Sequence, residues 1–280
     1  MRYHEDRGNN EAKAKSSLKI LGLVVVIGLL LQSCASPAEN LLRQAGELGL
    51  VRQTFIANGF QLESFSKADS RARRVLHVYL EGDGLPWLTK EWISADPTPR
   101  YPLMLHLMAL DGSPSLYLGR PCYNGHARDV GCSPLLWTYR RYSPEVVSAL
   151  ADALQGFLLK HAYAGLVFIG HSGGGALALL LAIRFPTTRA VVTLAGNTDT
   201  QVWTDLHGYT RLVGSLNPAN FTGGDFKEIH WLGGKDAVIP PNVFLPVLKQ
   251  RHAAKITVIP DYDHVCCWKN GWSQILKQLP

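Results

Sequence analysis

The sequence predicts an α/β fold, a mostly parallel sheet covered by helices on both faces and led by an antiparallel hairpin. Three observations carry that expectation. From Val75 onward, strand-like runs alternate with segments of helical periodicity. Several of those runs, Leu166–Ile169 and Ala190–Ala195 among them, are apolar on both faces, as strands sandwiched between helices must be. The run Leu166–Ile169 also feeds a Gly-x-Ser-x-Gly turn, Gly170-His171-Ser172-Gly173-Gly174, followed at once by an aliphatic helix that ends before Pro186. Such a turn strains the serine backbone and leaves no room for flanking side chains, and glycines at 170, 173, 174 and 175 supply the space.

Composition sets bounds. The 280 residues are 46% hydrophobic and 18% charged, with seven Trp and a net charge of +6 spread along the chain. No Lys/Arg block or repeat is present, so nothing points to a nucleic-acid partner. At the N-terminus, Arg2, Arg7, Lys13, Lys15 and Lys19 precede an uncharged apolar run, Ile20–Leu31. As a helix it would be about 18 Å long, short of a hydrocarbon core of roughly 30 Å, and it fits the apolar region of a signal peptide. The Leu31-Gln32-Ser33-Cys34 that follows resembles the bacterial lipobox, with Gln32 where a smaller residue is usual. The resemblance implies a signal peptide over 1–33, a diacylated Cys34, and attachment to the bacterial envelope through that lipid. Ala35 and Ser36 stand where an Asp would mark inner-membrane retention, which favours the outer membrane facing the periplasm. Residues 34–53 are expected to be a tether and 54–280 the folded domain.

Within the domain, Thr54–Phe65 alternates on both sides of Asn58-Gly59, the strongest short hairpin signal. Val75–Leu80 is a third strand, ending in Glu81-Gly82-Asp83-Gly84. Loop and helix are expected from Trp87 to Asp111, and Ser115–Leu118 is a short fourth strand. Ser143-Pro144-Glu145 is a helix start, with a capping hydroxyl, Pro in the first turn and an acid at the positive end. Its apolar face is Val146, Val147, Leu150, Leu154, Phe157 and Leu158. After the elbow helix and strand 190–195, the stretch 197–226 lacks periodicity. Strand 228–232, a helix near 241–250, strand 255–259 and a helix near 270–279 complete the chain.

This order, with the Gly-x-Ser-x-Gly turn after the fifth strand, resembles the α/β-hydrolase fold across nearly the whole domain. The resemblance implies a triad in chain order Ser, acid, His. The acid is due after the strand two beyond the elbow and the histidine after the last strand. Those places hold Gly233-Gly234-Lys235-Asp236 and Pro260-Asp-Tyr-Asp-His264, so Ser172, Asp236 and His264 are the expected catalytic residues. Asp236 could instead cap a turn, in which case Asp199 is the reserve acid. His264 lies beside Asp261 and Asp263, which without a further ligand make a poor metal site. His171 is expected to pack beside the serine.

The imidazole would take the serine proton during attack, and the carboxylate would fix its tautomer. The resemblance places the oxyanion donors at the N–H of Gly173 and in the loop after the third strand. There Glu81 departs from the usual His, and Asp83 is the expected donor with Gly84 as runner-up. The Asp83 carboxylate would have to turn away while its N–H points in. With Cys34 acylated, four cysteines remain in an oxidising compartment. Cys122 and Cys132 enclose a short polar loop and are the natural pair, while Cys266 and Cys267 could bond to each other, cross-link elsewhere or stay reduced.

The expected activity is hydrolysis of a carboxylic ester or thioester with a small-molecule or lipid-like acyl group, without cofactor or metal. Substrate choice is expected to reside in a lid over 197–226 and around Trp87 and Trp92. A peptidase or amidase using the same triad, and a non-catalytic envelope lipoprotein using the fold as a binding surface, are the alternatives.

Overall fold

Eight strands form one mixed sheet in a computed structural model that describes residues 35–67, 74–221, 223–251 and 254–279. Cys34 and the apolar run before it lie outside the described residues. Among those described, no helix is long and apolar enough to cross a membrane. In chain order the elements are α1 (Pro37–Glu47), β1 (Val51–Ala57), β2 (Phe60–Lys67), β3 (Val75–Leu80), α2 (Leu103–Ala109), β4 (Ser115–Tyr117) and α3 (Pro144–Leu158). They continue as β5 (Gly165–His171), α4 (Gly173–Ala182), β6 (Thr188–Leu194), α5 (Thr200–His207), β7 (Lys227–Gly233), α6 (Pro241–Lys249), β8 (Ala254–Ile259) and α7 (Trp268–Leu276). The sheet order is β1-β2-β4-β3-β5-β6-β7-β8. β1 and β2 pair antiparallel, β2 meets β4 antiparallel, and every pair from β4–β3 to β7–β8 is parallel.

The hairpin turns at Asn58 and Gly59, both at positive φ, with Ala57 opposite Phe60. Two central residues in that conformation match the twist of the strands they join. The strands extend to 51 and 67, beyond the alternating stretch that signals them. α3 begins as its sequence dictates, with Ser143 Oγ accepting a hydrogen bond from Val146 N and Pro144 in the first turn.

Along β5, alternate side chains go to opposite faces. Leu166 and Phe168 join the core beneath α3 and α4, while Val167 and Ile169 join the core shared with α1, α2 and α7. All ten residues of α4 are buried, which explains an apolar helix without a polar face. Cys122 and Cys132 are disulfide-bonded, with Cα atoms 5.5 Å apart.

Two segments differ from expectation, and the first is 197–226, where Thr200–His207 form α5 behind an Asp199 cap although the stretch lacks periodicity. The second is 37–47, expected within a tether, which forms α1. Pro37 stands in its first turn and Glu39 near its positive end, and Ala38, Leu41 and Ala45 repeat at helical spacing and are buried. Leu41 is 1% exposed in the same core as Tyr79 and Trp272. Leu41→Ala should therefore lower unfolding stability by about 3 kcal/mol, the usual size for a buried leucine truncation, measured by urea denaturation. A loss below about 0.5 kcal/mol, as for an undocked tether, would show that α1 is not part of the core.

Candidate active site

The chain leaves β3 toward β4 on one side and β5 toward β6 on the other, so a crevice opens at the carboxyl ends of β3 and β5. Two segments meet there, Glu81–Gly84 after β3 and His171–Ser172 at the end of β5. Ser172 takes φ 52° and ψ −121°, a strained combination for a residue with a side chain. The surroundings enforce it. Ser172 N donates to Leu194 O at 3.0 Å, and Ser172 O accepts from Gly175 N and Asn197 N, each at 2.9 Å. The turn is so tight that a Cβ on Gly170 would overlap the Gly174 carbonyl, and one on Gly173 would overlap the Asp83 carboxylate.

His264 stands on the loop after β8, and its Nδ1 lies 2.9 Å from Asp236 Oδ2. Asp236 follows β7 with its side chain fully buried, and its other oxygen accepts from Val238 N at 2.7 Å and Ile239 N at 2.9 Å. Burial pushes this carboxyl up, but the bonds from His264 and the two backbone N–H groups outweigh it and hold the pKa below the ordinary value. An ionised Asp236 accepts the Nδ1 proton, which leaves Nε2 as the basic nitrogen. Ser172 and His264 line the same cleft, although among the described residues no hydrogen bond joins them directly. Asp236 thus caps a turn and partners His264 at once. Asp199, the reserve acid, is elsewhere engaged: it caps α5, accepting from Gln201 N and Val202 N, and also accepts from Asn217 Nδ2.

The His264 loop is pinned from several sides. His171 Nε2 donates to His264 O at 2.7 Å, Trp268 Nε1 donates to the same oxygen at 3.1 Å, and the two imidazole rings lie 4.9 Å apart. Burial and the neighbouring His264 hold the His171 pKa down at about 3, so this imidazole is neutral. Asp263 Oδ1 accepts from Val265 N and Cys266 N, and Cys266 and Cys267 are bonded to each other.

The loop after β3 carries what sequence reasoning missed. The Asp83 carboxylate rests against Gly173 and accepts from Arg120 Nη1 at 2.8 Å, Arg141 Nη1 at 2.9 Å and Tyr142 Oη at 2.6 Å, while its carbonyl accepts from Tyr123 Oη at 3.0 Å. Burial would raise this carboxyl, but Arg141 and Arg120 bring it down to about 2. Arg120 and Arg141 are themselves buried. Arginines are rarely buried without a partner, but a single sequence does not show which ones are buried. Glu81 turns the other way and accepts from Gly82 N at 3.1 Å and Met104 N at 2.9 Å, bracing the loop against the start of α2.

Beyond the serine the cleft has a volume of about 770 Å³, walled by Trp87, Tyr101, Tyr139, Trp203 and Tyr209. Segment 197–226 supplies Trp203, Tyr209 and the 207–210 turn to that wall. Trp92 is 71% exposed and does not line it.

Burial drives the Glu81 carboxyl up to about 7, against the pull of its backbone donors and Arg120. A group whose folded pKa is raised contributes stability fully present below its unfolded value near 4.5, and loses it as pH rises to about 7. Relative to Glu81→Gln, the wild type should therefore lose stability between pH 5 and pH 8, on the order of 3 kcal/mol. Thermal melts of both proteins at the two pH values check this. A difference that does not change with pH would show that Glu81 does not titrate in that window.

No family model matches the chain, and no curated protein does. Solved structures do match. An esterase of Pyrococcus furiosus superposes with a TM-score of 0.60 at 12% identity, over 84% of this chain and 94% of the esterase. A putative dienelactone hydrolase from Klebsiella pneumoniae gives 0.58 at 17% identity, over 81% and 96%. An acylaminoacyl peptidase of Pyrococcus horikoshii gives 0.55 at 14%, over 82% of this chain but 40% of the peptidase, so the chain spans well under half of that protein. At these identities the likeness is one of architecture, and with the sheet order and the elbow it establishes that the chain has the α/β-hydrolase fold.

Proposed function

We propose that the chain is a serine hydrolase cleaving a carboxylic ester or thioester. The observation that carries this reading is His264, paired with the buried Asp236 and lining the same cleft as Ser172 in its strained elbow. Ser172 Oγ attacks the carbonyl as His264 Nε2 takes its proton, and Asp236 steadies the imidazolium. The oxyanion is received by the N–H groups of Gly173 and Asp83. Each such donor lowers the barrier by about 3–4 kcal/mol. Collapse expels the leaving group with a proton from His264 and leaves an acyl group on Ser172, which water then removes by the same route in reverse. A buried carboxylate–imidazole pair beside a strained serine is poorly explained as scaffold, because each feature costs stability. The aromatic cleft suits an acyl or aryl group, with Trp203 and the 197–226 segment as its lid-like wall.

Ser172→Ala should abolish turnover of p-nitrophenyl butyrate, by about 10⁴-fold or more, and abolish labelling by a fluorophosphonate probe, with the melting temperature preserved. Substantial residual activity in the folded variant would rule out this mechanism. Comparing the ester with the matching p-nitroanilide separates esterase from amidase.

The lipobox resemblance at Cys34 further supports an envelope protein held by a diacylated cysteine, with its cleft in the periplasm. Intact-mass measurement on membrane-extracted protein should find a chain beginning at Cys34 with the lipid mass added. A chain still beginning near Met1, or one without the lipid, would refute the anchor.

A further inference from the structure

Asp83 is an odd choice for a loop that receives an oxyanion. Its carboxylate occupies the place that a Cβ on Gly173 would take, beside the residue whose N–H the developing negative oxygen needs. The oxyanion would sit about 3 Å from that N–H. A lone carboxylate so close, in a site sheltered from water, opposes the same charge in the transition state. The structure does not leave it alone. Arg120 holds one oxygen and Arg141 the other, with Tyr142 donating to the latter. Two guanidinium groups face one carboxylate. Arg141 lines the cleft itself, whereas Arg120 lies behind the loop, donating also to Glu81 O at 3.0 Å with its Nε buried and unpartnered. The remaining acid, Glu81, points toward α2 and not into this group.

Resting on the hydrolase reading above, we propose that Arg120 and Arg141 reverse the sign of the charge that Asp83 places beside the oxyanion site, so that the cluster presents one net positive charge to the transition state. Asp83 earns its place mechanically, since four bonds to its carboxylate and carbonyl fix the loop whose N–H must point at the substrate oxygen. The second arginine then makes the electrostatic balance favourable. The charge matters most where negative charge develops, so it acts on kcat more than on ground-state binding of a neutral ester.

A charge series tests this with p-nitrophenyl butyrate as the neutral substrate and a trifluoromethyl ketone as a probe that becomes an oxyanion on Ser172. Arg141→Met keeps apolar bulk against Trp203, over which the guanidinium sits at 5.9 Å, and takes the cluster from +1 to 0. Arg141→Lys keeps the charge and loses the fork. Arg141→Met with Asp83→Asn returns the cluster to +1. The Met variant should lose about 10- to 100-fold in kcat with KM changed less than threefold, and the ketone should weaken by the same factor as kcat/KM. The Lys variant should retain more than a third of wild-type kcat, and the double variant should recover at least tenfold over Met alone. Fluorophosphonate labelling of Ser172 in wild type tells a failure here from a failure of the hydrolase reading. A double variant as slow as Met alone, or a folded Met variant with wild-type kcat, would overturn the proposal. Should the Met variant not fold, Lys against Gln at position 141 gives the same comparison, and equal kcat in the two would overturn it as well.

Discussion

The whole site depends on how closely three pieces of backbone approach at the end of β5. The elbow can hold Ser172 at positive φ only because glycines let α4 begin against the strand that precedes it and against the loop from β3. That packing fixes where the serine hydroxyl emerges and sets the Asp83 loop beside it. It also fixes the position of α4 in the core, where every residue of that helix is buried. Strain at one residue is tolerated because the surrounding backbone hydrogen bonds over-determine it.

Charge at this site is handled by pairing more than by exposure. Asp236 is buried against two backbone N–H groups and one imidazole, and Asp83 against two guanidinium groups and a phenol. In both cases burial pushes the carboxyl pKa up, and the partners outweigh it and bring the pKa below the ordinary value. Glu81, with only backbone donors on its oxygens, is the acid for which burial wins. The three differ in environment more than in chemistry, which is how one small region keeps neighbouring carboxyls in different protonation states.

Much of the architecture was legible in the sequence because it follows from local rules. Asn58-Gly59 specifies its turn, Ser143-Pro144-Glu145 its helix start, and the doubly apolar runs their place between helical layers. The places of Ser172, Asp236 and His264 were expected from resemblance to a known order of parts, and the structure brings Asp236 and His264 into contact. α1 carries its own signal in the helical spacing of Ala38, Leu41 and Ala45, against the tether expected from its position after the apolar run. The roles of Arg120 and Arg141 depend on contacts across 37 and 58 positions of sequence, and no local pattern encodes which arginine is buried. Asp199 shows the converse, since its strand-end position fits a catalytic acid but its side chain was claimed by the helix it begins.

The hydrogen bond from His171 to the carbonyl of His264 constrains the chain in another way. The residue before an elbow serine has a backbone role that many side chains could serve, yet here its ring ties the neighbour of Ser172 to the peptide group of His264. The replacement must carry a donor at the reach of an imidazole Nε2 and tolerate full burial while uncharged. Few residue types meet both conditions. A library that randomises position 171 to reshape the cleft would therefore sample mostly variants whose His264 loop has lost a fastening, and any change in what the cleft binds would need to be separated from the loosening of that loop.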